Sequence, residues 1–411
     1  MTAEPAIPIV VSGLGCVSTW GVGTESLWQG LLSPRPGITG LSRFDSRGYA
    51  AKIAGECRET LESLRHRAGG DGDASRADLF ALCAAREAVA QAGLDGRLSS
   101  LNVGVYFGGS TAGLAEGEGH YASVRSSRRG HSSIRVLSSH PVSSPGEVVA
   151  RIFGATGPVI TVSSACASGT LALGLALEAL RSGEVDVAFA GGSDSLTRTT
   201  FGGFNALQAV DTRPCRPFRA DRAGLSLGEG GAVLVLERQE SVEARGGQSL
   251  ARLLGAGNAA DAHHMTAPHP EGEGALIAMQ DCLRDARSEA EDVDFVNAHG
   301  TGTLLNDQAE FKALRKLFPD RTRSIPVVAT KASIGHLLGS AGVIEAVVTV
   351  LCLQHQRLHP VPRGGPVDPE ASGDLVQERG GRRLELRTGL SLSLGFGGSN
   401  AAALFSLPSF P

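Results

Sequence analysis

Ile160–Leu180 reads ITVSSACASGTLALGLALEAL, and Val327–Leu351 reads VVATKASIGHLLGSAGVIEAVVTVL. Each opens on a short β-branched run, passes through a turn of small residues and ends in a long apolar stretch of helical period. The likeness extends outward from both. Ahead of the first lie a helical segment, Ala81–Leu94 (ALCAAREAVAQAGL), and a strand with a small-residue turn, Val103–Thr111 (VGVYFGGST); behind it comes the strand Ala232–Glu237 (AVLVLE). Ahead of the second, Ala275–Ala286 (ALIAMQDCLRDA) leads to Asp294–Thr303 (DFVNAHGTGT), and Gly389–Gly398 (GLSLSLGFGG) follows it. The same elements in the same order predict an internal duplication whose halves, residues 1–250 and 251–411, meet near Glu237–Leu253. Alternating helices and strands place the chain in the α/β class, with a buried and largely parallel sheet system. A pseudo-twofold axis between the halves would converge corresponding strand ends. Cys166 of the first half would then face His299, Lys331 and His336 of the second.

Helical periodicity is clear over Leu79–Gly93, Gly169–Arg181, Gly274–Ala286 and Gly342–His355. The stretches 66–75 and 125–135 are polar and rich in Gly, Ser and Arg, and read as surface loops, as does 364–381. The chain of 411 residues is too long for one small domain. Its net charge of −4 argues against a general nucleic-acid binder. Seven cysteines without CxxC pairs argue against a disulfide framework or structural zinc, and fit a reducing cytoplasm. The N-terminal run IPIVVSGLGCV has no basic region ahead of it and does not read as a signal peptide, and no charge-free stretch reaches membrane-spanning length.

Four motifs carry chemistry. In Ile160–Gly169 a strand ends at Cys166 just before a helix, where free N–H groups and the helix dipole favour a thiolate. A small packed cysteine is the bland alternative. In Asn297–Glu310 (NAHGTGTLLNDQAE) His299 ends an apolar strand, and Thr301 and Thr303 offer hydroxyls to a polar ligand. In Thr330–Gly342 (TKASIGHLLGSAG) Lys331 follows an apolar strand, an expensive place for an ammonium unless it is paired, and His336 comes five residues later. Only four lysines occur in the chain, which makes that placement informative. In Gly395–Asn400 (GFGGSN) backbone N–H groups of a Gly-rich turn can bind an oxyanion. One Cys and two His point to thiol nucleophilic catalysis, in a hydrolase or an acyl transferase. No pair among them has the helical spacing of metal ligands, and whether a metal binds is left open.

Together with VSGLGCVSTWGVGTESLWQGLL (Val11–Leu32), CRPFRADRAGLSLGEGGAVLVLE (Cys215–Glu237) and DAHHMTAPHP (Asp261–Pro270), these motifs resemble the elongating β-ketoacyl-acyl-carrier-protein synthases of the thiolase-like condensing enzymes over almost the whole chain. The resemblance implies two fused halves in five layers, α/β/α/β/α, usually as a dimer. It implies that Cys166 takes an acyl chain from the phosphopantetheine arm of an acyl carrier protein, with no intrinsic cofactor. His299 and His336 would donate hydrogen bonds to the malonyl thioester carbonyl as carbon dioxide leaves. Lys331 would hold the electrostatics of the pair, supported by Glu310. The N–H groups of Cys166 and Phe396 would form the oxyanion hole, with Phe396 as a gating aromatic. Thr301 and Thr303 would hold the pantetheine arm, and Thr111 and Phe204 would line the substrate pocket. The chain-length-factor relatives replace the nucleophile; Cys166 marks this chain as an active subunit.

The departures concern the pocket. Leu392 and Leu394 stand where the family commonly has Asn and Phe, Gly302 gives the version of HGTGT frequent in polyketide synthases, and Thr111 stands for a bulkier apolar residue. They point toward a type II polyketide or polyene synthase, with housekeeping fatty-acid elongation and a non-condensing partner subunit as alternatives. Acyl carrier proteins are acidic, so Arg65, Arg67 and Arg76 on one loop and Arg125, Arg128 and Arg129 on another are candidate docking residues. Partners are then acyl and malonyl thioesters on the carrier, and either a second copy or a chain-length-factor-like subunit.

Overall fold

The structure, a computed structural model, describes residues 7–70, 72–126, 133–362, 364–371 and 373–409. Five strands of the first half are β1 (Ile9–Ser18), β2 (Val103–Gly108), β3 (Val159–Val162), β4 (Val187–Asp194) and β5 (Gly230–Arg238). Five of the second are β6 (Ala251–Ala260), β7 (Phe295–Asn297), β8 (Pro326–Val328), β9 (Thr388–Gly395) and β10 (Ser399–Ser406). Their spatial orders are β3-β2-β4-β5-β1 and β8-β7-β9-β10-β6, the same permutation twice. In each half the second strand pairs in parallel with its two neighbours, and the remaining two pairings are antiparallel. The repeat read from the sequence is thus a repeat of topology.

Half of the pairings within each sheet are antiparallel, against the largely parallel expectation. The cause is local. β9 and β10 are joined by the tight turn Phe396–Gly398, and so short a connection permits only a hairpin. The first half keeps the antiparallel pair β4/β5 but inserts residues 195–229 where the second half has that turn. The two sheets also touch, through Val10 opposite Arg252 and Val11 opposite Ala251.

Helices α1 (Arg76–Ala92), α2 (Ser168–Arg181), α3 (Glu273–Ala286) and α4 (Ala341–His355) complete the layers. α1 covers β1 and β5, and α3 covers β6 and β10, from outside. α2 and α4 pack on each other and on strands of both sheets, which makes them the middle of α/β/α/β/α. Their crossing depends on two glycines. A Cβ on Gly342 would lie 2.2 Å from Thr170 Oγ1, and one on Gly169 would lie 2.8 Å from the Val343 nitrogen. The stretch Leu338–His355 is long and apolar enough for a membrane, with mean hydropathy 1.5, but it is 89% buried within the fold. Its apolar faces are needed by protein on every side.

The stretch 66–75 is less of a loop than expected: residues to Ala68 close the helix Leu61–Ala68, which Gly69 ends in a left-handed conformation (φ 86°). Arg125 likewise ends the helix Leu114–Arg125, and residues 127–132 lie outside the described residues.

Candidate active site

The strand β3 delivers the chain to a turn in which Ala165 adopts φ 47°, a left-handed conformation costly for a residue with a Cβ. The turn is held by side chains on both sides. The Ser168 hydroxyl donates to the Ala165 carbonyl at 2.6 Å and accepts the Ser164 N–H at 2.8 Å. Ser164 Oγ in turn reaches Ser399 Oγ of β10 at 2.8 Å, tying the turn to the other half. Cys166 follows immediately, 8% exposed, at the floor of a cavity of about 430 Å³. Peptide N–H groups of Phe396 and of Cys166 itself face its sulfur.

The dipole-favoured thiolate read from the sequence is not the resting state. Burial pushes the Cys166 thiol up to about 11, outweighing Lys331 and the two N–H groups that pull it down.

His299 stands two residues past the end of β7, where Gly300 turns the chain with φ 42°. The Glu310 carboxylate accepts the N–H groups of His299 at 2.6 Å and Gly300 at 2.9 Å, fixing that turn from below. Lys331, 1% exposed, directs its three protons to His299 Nδ1 (3.1 Å), the His299 carbonyl (2.8 Å) and the Glu345 carboxylate. Its ion-pair partner is Glu345 on α4, while Glu310 bears on the site through the His299 and Gly300 N–H groups. Burial pushes the Glu345 carboxyl up, and the ammonium of Lys331 draws it back.

His336 Nε2 lies 2.9 Å from Cys166 Sγ, and its Nδ1 accepts the Leu338 N–H at 3.0 Å. That second contact sets the tautomer: an Nδ1 receiving a proton donor is bare, so the ring proton sits on Nε2. The same logic holds for His299, whose Nδ1 receives the Lys331 ammonium. Both imidazoles thus present Nε2–H, and with Cys166 Sγ their inner atoms lie within 4.8 Å of one another. Burial first and Lys331 second push both histidines well below the usual imidazole range, so they are neutral donors at physiological pH. A metal at this trio would need Nε2 bare and the proton moved to Nδ1, against the Leu338 and Lys331 donors. The donor set does not fit a metal ion.

The remaining expected residues divide. Phe204 and Phe396 stack at the cavity wall, ring centroids 5.7 Å apart. Thr301 and Thr303 also line it, hydroxyls 2.9 Å apart. Leu394 lines it, but Leu392 is buried in the packing of the second half. Thr111 is not on that wall: its hydroxyl lies 3.0 Å from both Asp194 Oδ1 and the Ser195 carbonyl. Arg76 is also displaced from its expected place, since its guanidinium is buried against Glu229 at 3.0 Å rather than facing a partner. Arg65, Arg67 and Arg125 are exposed; Arg128 and Arg129 lie outside the described residues. The sequence points to Glu345 only as a candidate neighbour of a structural cation, with Asn297 and Glu310; its ion pair with Lys331, and the Leu338 N–H on His336, are found in the structure.

Two family models match the chain: "Beta-ketoacyl synthase, N-terminal domain" over residues 6–241 and "Beta-ketoacyl synthase, C-terminal domain" over residues 250–363. A 3-oxoacyl-[acyl-carrier-protein] synthase 2 of Staphylococcus aureus is 35% identical over 97% of this chain and 98% of its own length. A putative polyketide beta-ketoacyl synthase 1 of Streptomyces halstedii is 37% identical over 97% and 98%. Among solved structures, the ishigamide ketosynthase/chain length factor superposes with TM-score 0.89 at 30% identity, covering 98% of this chain and all of that one. A type II polyketide-synthase acyl-carrier protein complex with its ketosynthase bound to the hexaketide gives 0.87 at 28%, covering 98% and 100%. With family models matched across most of its length and whole-length relatives of this identity, the chain belongs to the β-ketoacyl synthases and is a ketosynthase, an acyltransferase of the 3-oxoacyl-[acyl-carrier-protein] synthase kind.

Proposed function

We propose that this chain is the condensing subunit of a type II polyketide synthase, joining an acyl group on Cys166 to malonyl-acyl-carrier protein with loss of carbon dioxide. The observation that carries the chemistry is the pair of neutral Nε2–H donors aimed at the space above Cys166 Sγ. A thioester carbonyl placed there gains negative charge as the malonyl carboxylate leaves, and two fixed donors in a water-poor site stabilise that enolate. His336 Nε2–H also stabilises the sulfur anion as Cys166 attacks the incoming thioester, and the thiol proton leaves with the displaced carrier thiolate as its free thiol. The acyl-enzyme carbonyl would lie against the N–H groups of Cys166 and Phe396. Acyl transfer and condensation use one site in turn, so ping-pong kinetics follow. Residues 1–250 would supply the nucleophile, and 251–411 the His, Lys and Glu residues that steer it.

The arm of the carrier would enter past Thr301 and Thr303, with Phe396 and Phe204 at the gate. Leu207, Met265, Leu304 and Leu305 stand 58%, 76%, 54% and 57% exposed around or beside the mouth, an apolar rim that suits a docked protein. Arg65, Arg67 and Arg125 are exposed and carry the charge an acidic carrier needs. Among the described residues the edge strand β3 pairs only with β2, and it leaves Val159 and Ile160 42% and 40% exposed. An apolar open edge of this kind invites a second sheet, and either another copy or a chain-length-factor-like subunit would close it. All seven cysteines are free and buried, in keeping with a cytoplasmic setting.

Leu394 at the cavity wall, Gly302 in the arm-binding turn and the Streptomyces halstedii relative support the polyketide pathway. Fatty-acid elongation is the second reading, favoured by the Staphylococcus aureus relatives. Intact mass of the native protein and of Cys166→Ala, after incubation with a panel of acyl carriers and malonyl carrier, separates them. Acylation of the native protein alone, followed by release of a two-carbon-extended product, supports condensation. Preference for poly-β-keto or polyene chains supports the polyketide reading; saturated chains support the other. Acylation without extension until a second synthase-like chain is added identifies half of a heterodimer. No adduct on Cys166 under any condition overturns the proposal.

A further inference from the structure

Asp194, the last residue of β4, is fully buried, and its partners are peptide N–H groups and one hydroxyl rather than a basic side chain. Oδ1 accepts from the N–H groups of Ser110 (2.9 Å), Thr111 (2.6 Å) and Ala112 (3.2 Å) and lies 3.0 Å from the Thr111 hydroxyl. Oδ2 accepts the Gly339 N–H at 2.8 Å. The first group belongs to the turn after β2, and the second to the turn that follows His336. One carboxylate therefore joins the two halves beside the turn that follows His336.

What it holds on the second side matters. Leu338 is in the left-handed region (φ 54°), a conformation that a leucine keeps only under outside constraint. Its N–H rests on His336 Nδ1, and the next N–H along the chain is the one fixed by Asp194. We propose that Asp194 is a positioning residue for the condensing site: by fixing Gly339 it holds the strained Leu338 peptide on His336 Nδ1, which keeps the ring proton on Nε2 and aimed at Cys166. The consequence for turnover rests on the role given to His336 above.

Asp194→Asn preserves shape but replaces one acceptor oxygen by an NH₂ group, which must face N–H donors on one side or the other. The Leu338 N–H is then free to leave Nδ1, and the imidazole can carry its proton there. Cys166, His299 and Lys331 also face this ring, and none of them changes. Three readouts follow. ¹⁵N shifts of His336 in histidine-labelled protein move from a single Nε2–H tautomer to a mixture. The kcat for condensation falls by about 10- to 100-fold, less than the about 10²–10³-fold of removing an oriented donor outright because the ring is kept and only its tautomer is mixed, while KM for malonyl carrier changes little. The acid limb of the kcat profile moves to higher pH, because a donor that opposed protonation of Nδ1 is lost. A role confined to folding would lower the yield of active protein and move neither the tautomer nor the acid limb.

Asp194→Glu keeps the charge and displaces it by one methylene, and gives the same test if the amide variant does not fold. Unchanged tautomer and turnover in either folded variant overturn the assignment, as does a proton on Nδ1 in the native enzyme. A shifted tautomer with undiminished turnover removes the role given to His336, and with it the catalytic part of the inference.

Discussion

Lys331 has three protons and three acceptors, and only one acceptor is charged. Replacing Glu345 by Gln leaves the ammonium with three neutral acceptors and no counter-charge in a site where both side chains are 1% exposed. Removing one member of a buried ion pair costs about 3–5 kcal/mol, because the other charge is stranded. Glu345 Oε2 takes no hydrogen bond from any described group, so the amide NH₂ placed there gains nothing in return. An ammonium without its counter-charge is no longer held in one geometry. Its contact to His299 Nδ1 loosens, and the Nε2–H donor toward the malonyl carbonyl is then only partly populated. Decarboxylation should fall by about 10²–10³-fold, the usual loss for one oriented donor to a developing oxyanion.

The comparison variant is Glu310→Gln. That carboxylate accepts the N–H groups of His299 and Gly300, so the amide leaves one of them facing another donor, at about 1–3 kcal/mol. The Lys331–Glu345 pair and the Lys331 contact to His299 Nδ1 survive. Decarboxylation should therefore fall much less than in Glu345→Gln. Carbon dioxide release from malonyl carrier measures the step directly; denaturant unfolding measures the stability of each variant, and intact mass reports acylation of Cys166. If both variants fold and Glu310→Gln loses more decarboxylation than Glu345→Gln, the assignment of Lys331's partner is wrong.

Other consequences follow from the same geometry. Because burial lifts the Cys166 thiol to about 11, alkylation by iodoacetamide should rise by about tenfold per pH unit between pH 7 and 9; a plateau at neutral pH would show a resting thiolate. Arg65→Glu with Arg67→Glu should raise KM for carrier-bound substrates, weaken its salt dependence and leave unfolding unchanged. Arg76→Ala should do the reverse, losing about 3 kcal/mol of stability through its buried pair with Glu229; a carrier-specific KM effect without destabilisation would return Arg76 to the docking surface. Gly342→Ala should cost about 1–3 kcal/mol by forcing α2 and α4 apart at Thr170, and a variant as stable as the native protein by thermal unfolding would contradict that crossing.

Legibility followed the strength of local patterns. The helices α1 to α4 and most strands show in the sequence because burial imposes clean apolar periods on them. β6 (ARLLGAGNAA) and β10 (SNAAALFS) do not, since small residues dominate where α3 presses close. A Cβ on Gly257 would lie 2.2 Å from the Ala278 carbonyl oxygen, so β6 carries Gly and Ala for tight packing at the expense of strand propensity. Missing these two strands hid the antiparallel half of the second sheet. Thr111 and Arg76 were misplaced for a related reason: their neighbourhoods are set by Asp194 and Glu229, many residues away in sequence.

The proton-setting groups of the site show where sequence reading stops and what could have carried it further. Cys166, His299, Lys331 and His336 each sit where a strand runs into a small-residue turn, and their convergence follows once the duplication is seen. Their hydrogen-bond partners depend on how α4 is rotated against β7, which no local pattern fixes. Glu310 was the nearer choice for Lys331 because it follows His299 on the same motif. Yet Glu345 is the sole charged side chain before His355 in a helix that is buried throughout its first thirteen residues. A carboxylate there is tolerable only opposite a cation, and Lys331 is the lysine among four that follows an apolar strand. Two expensive charges in apolar surroundings of one half-domain imply each other. That argument was open from the sequence, and it selects Glu345 over Glu310, whose helix is polar enough to need no partner.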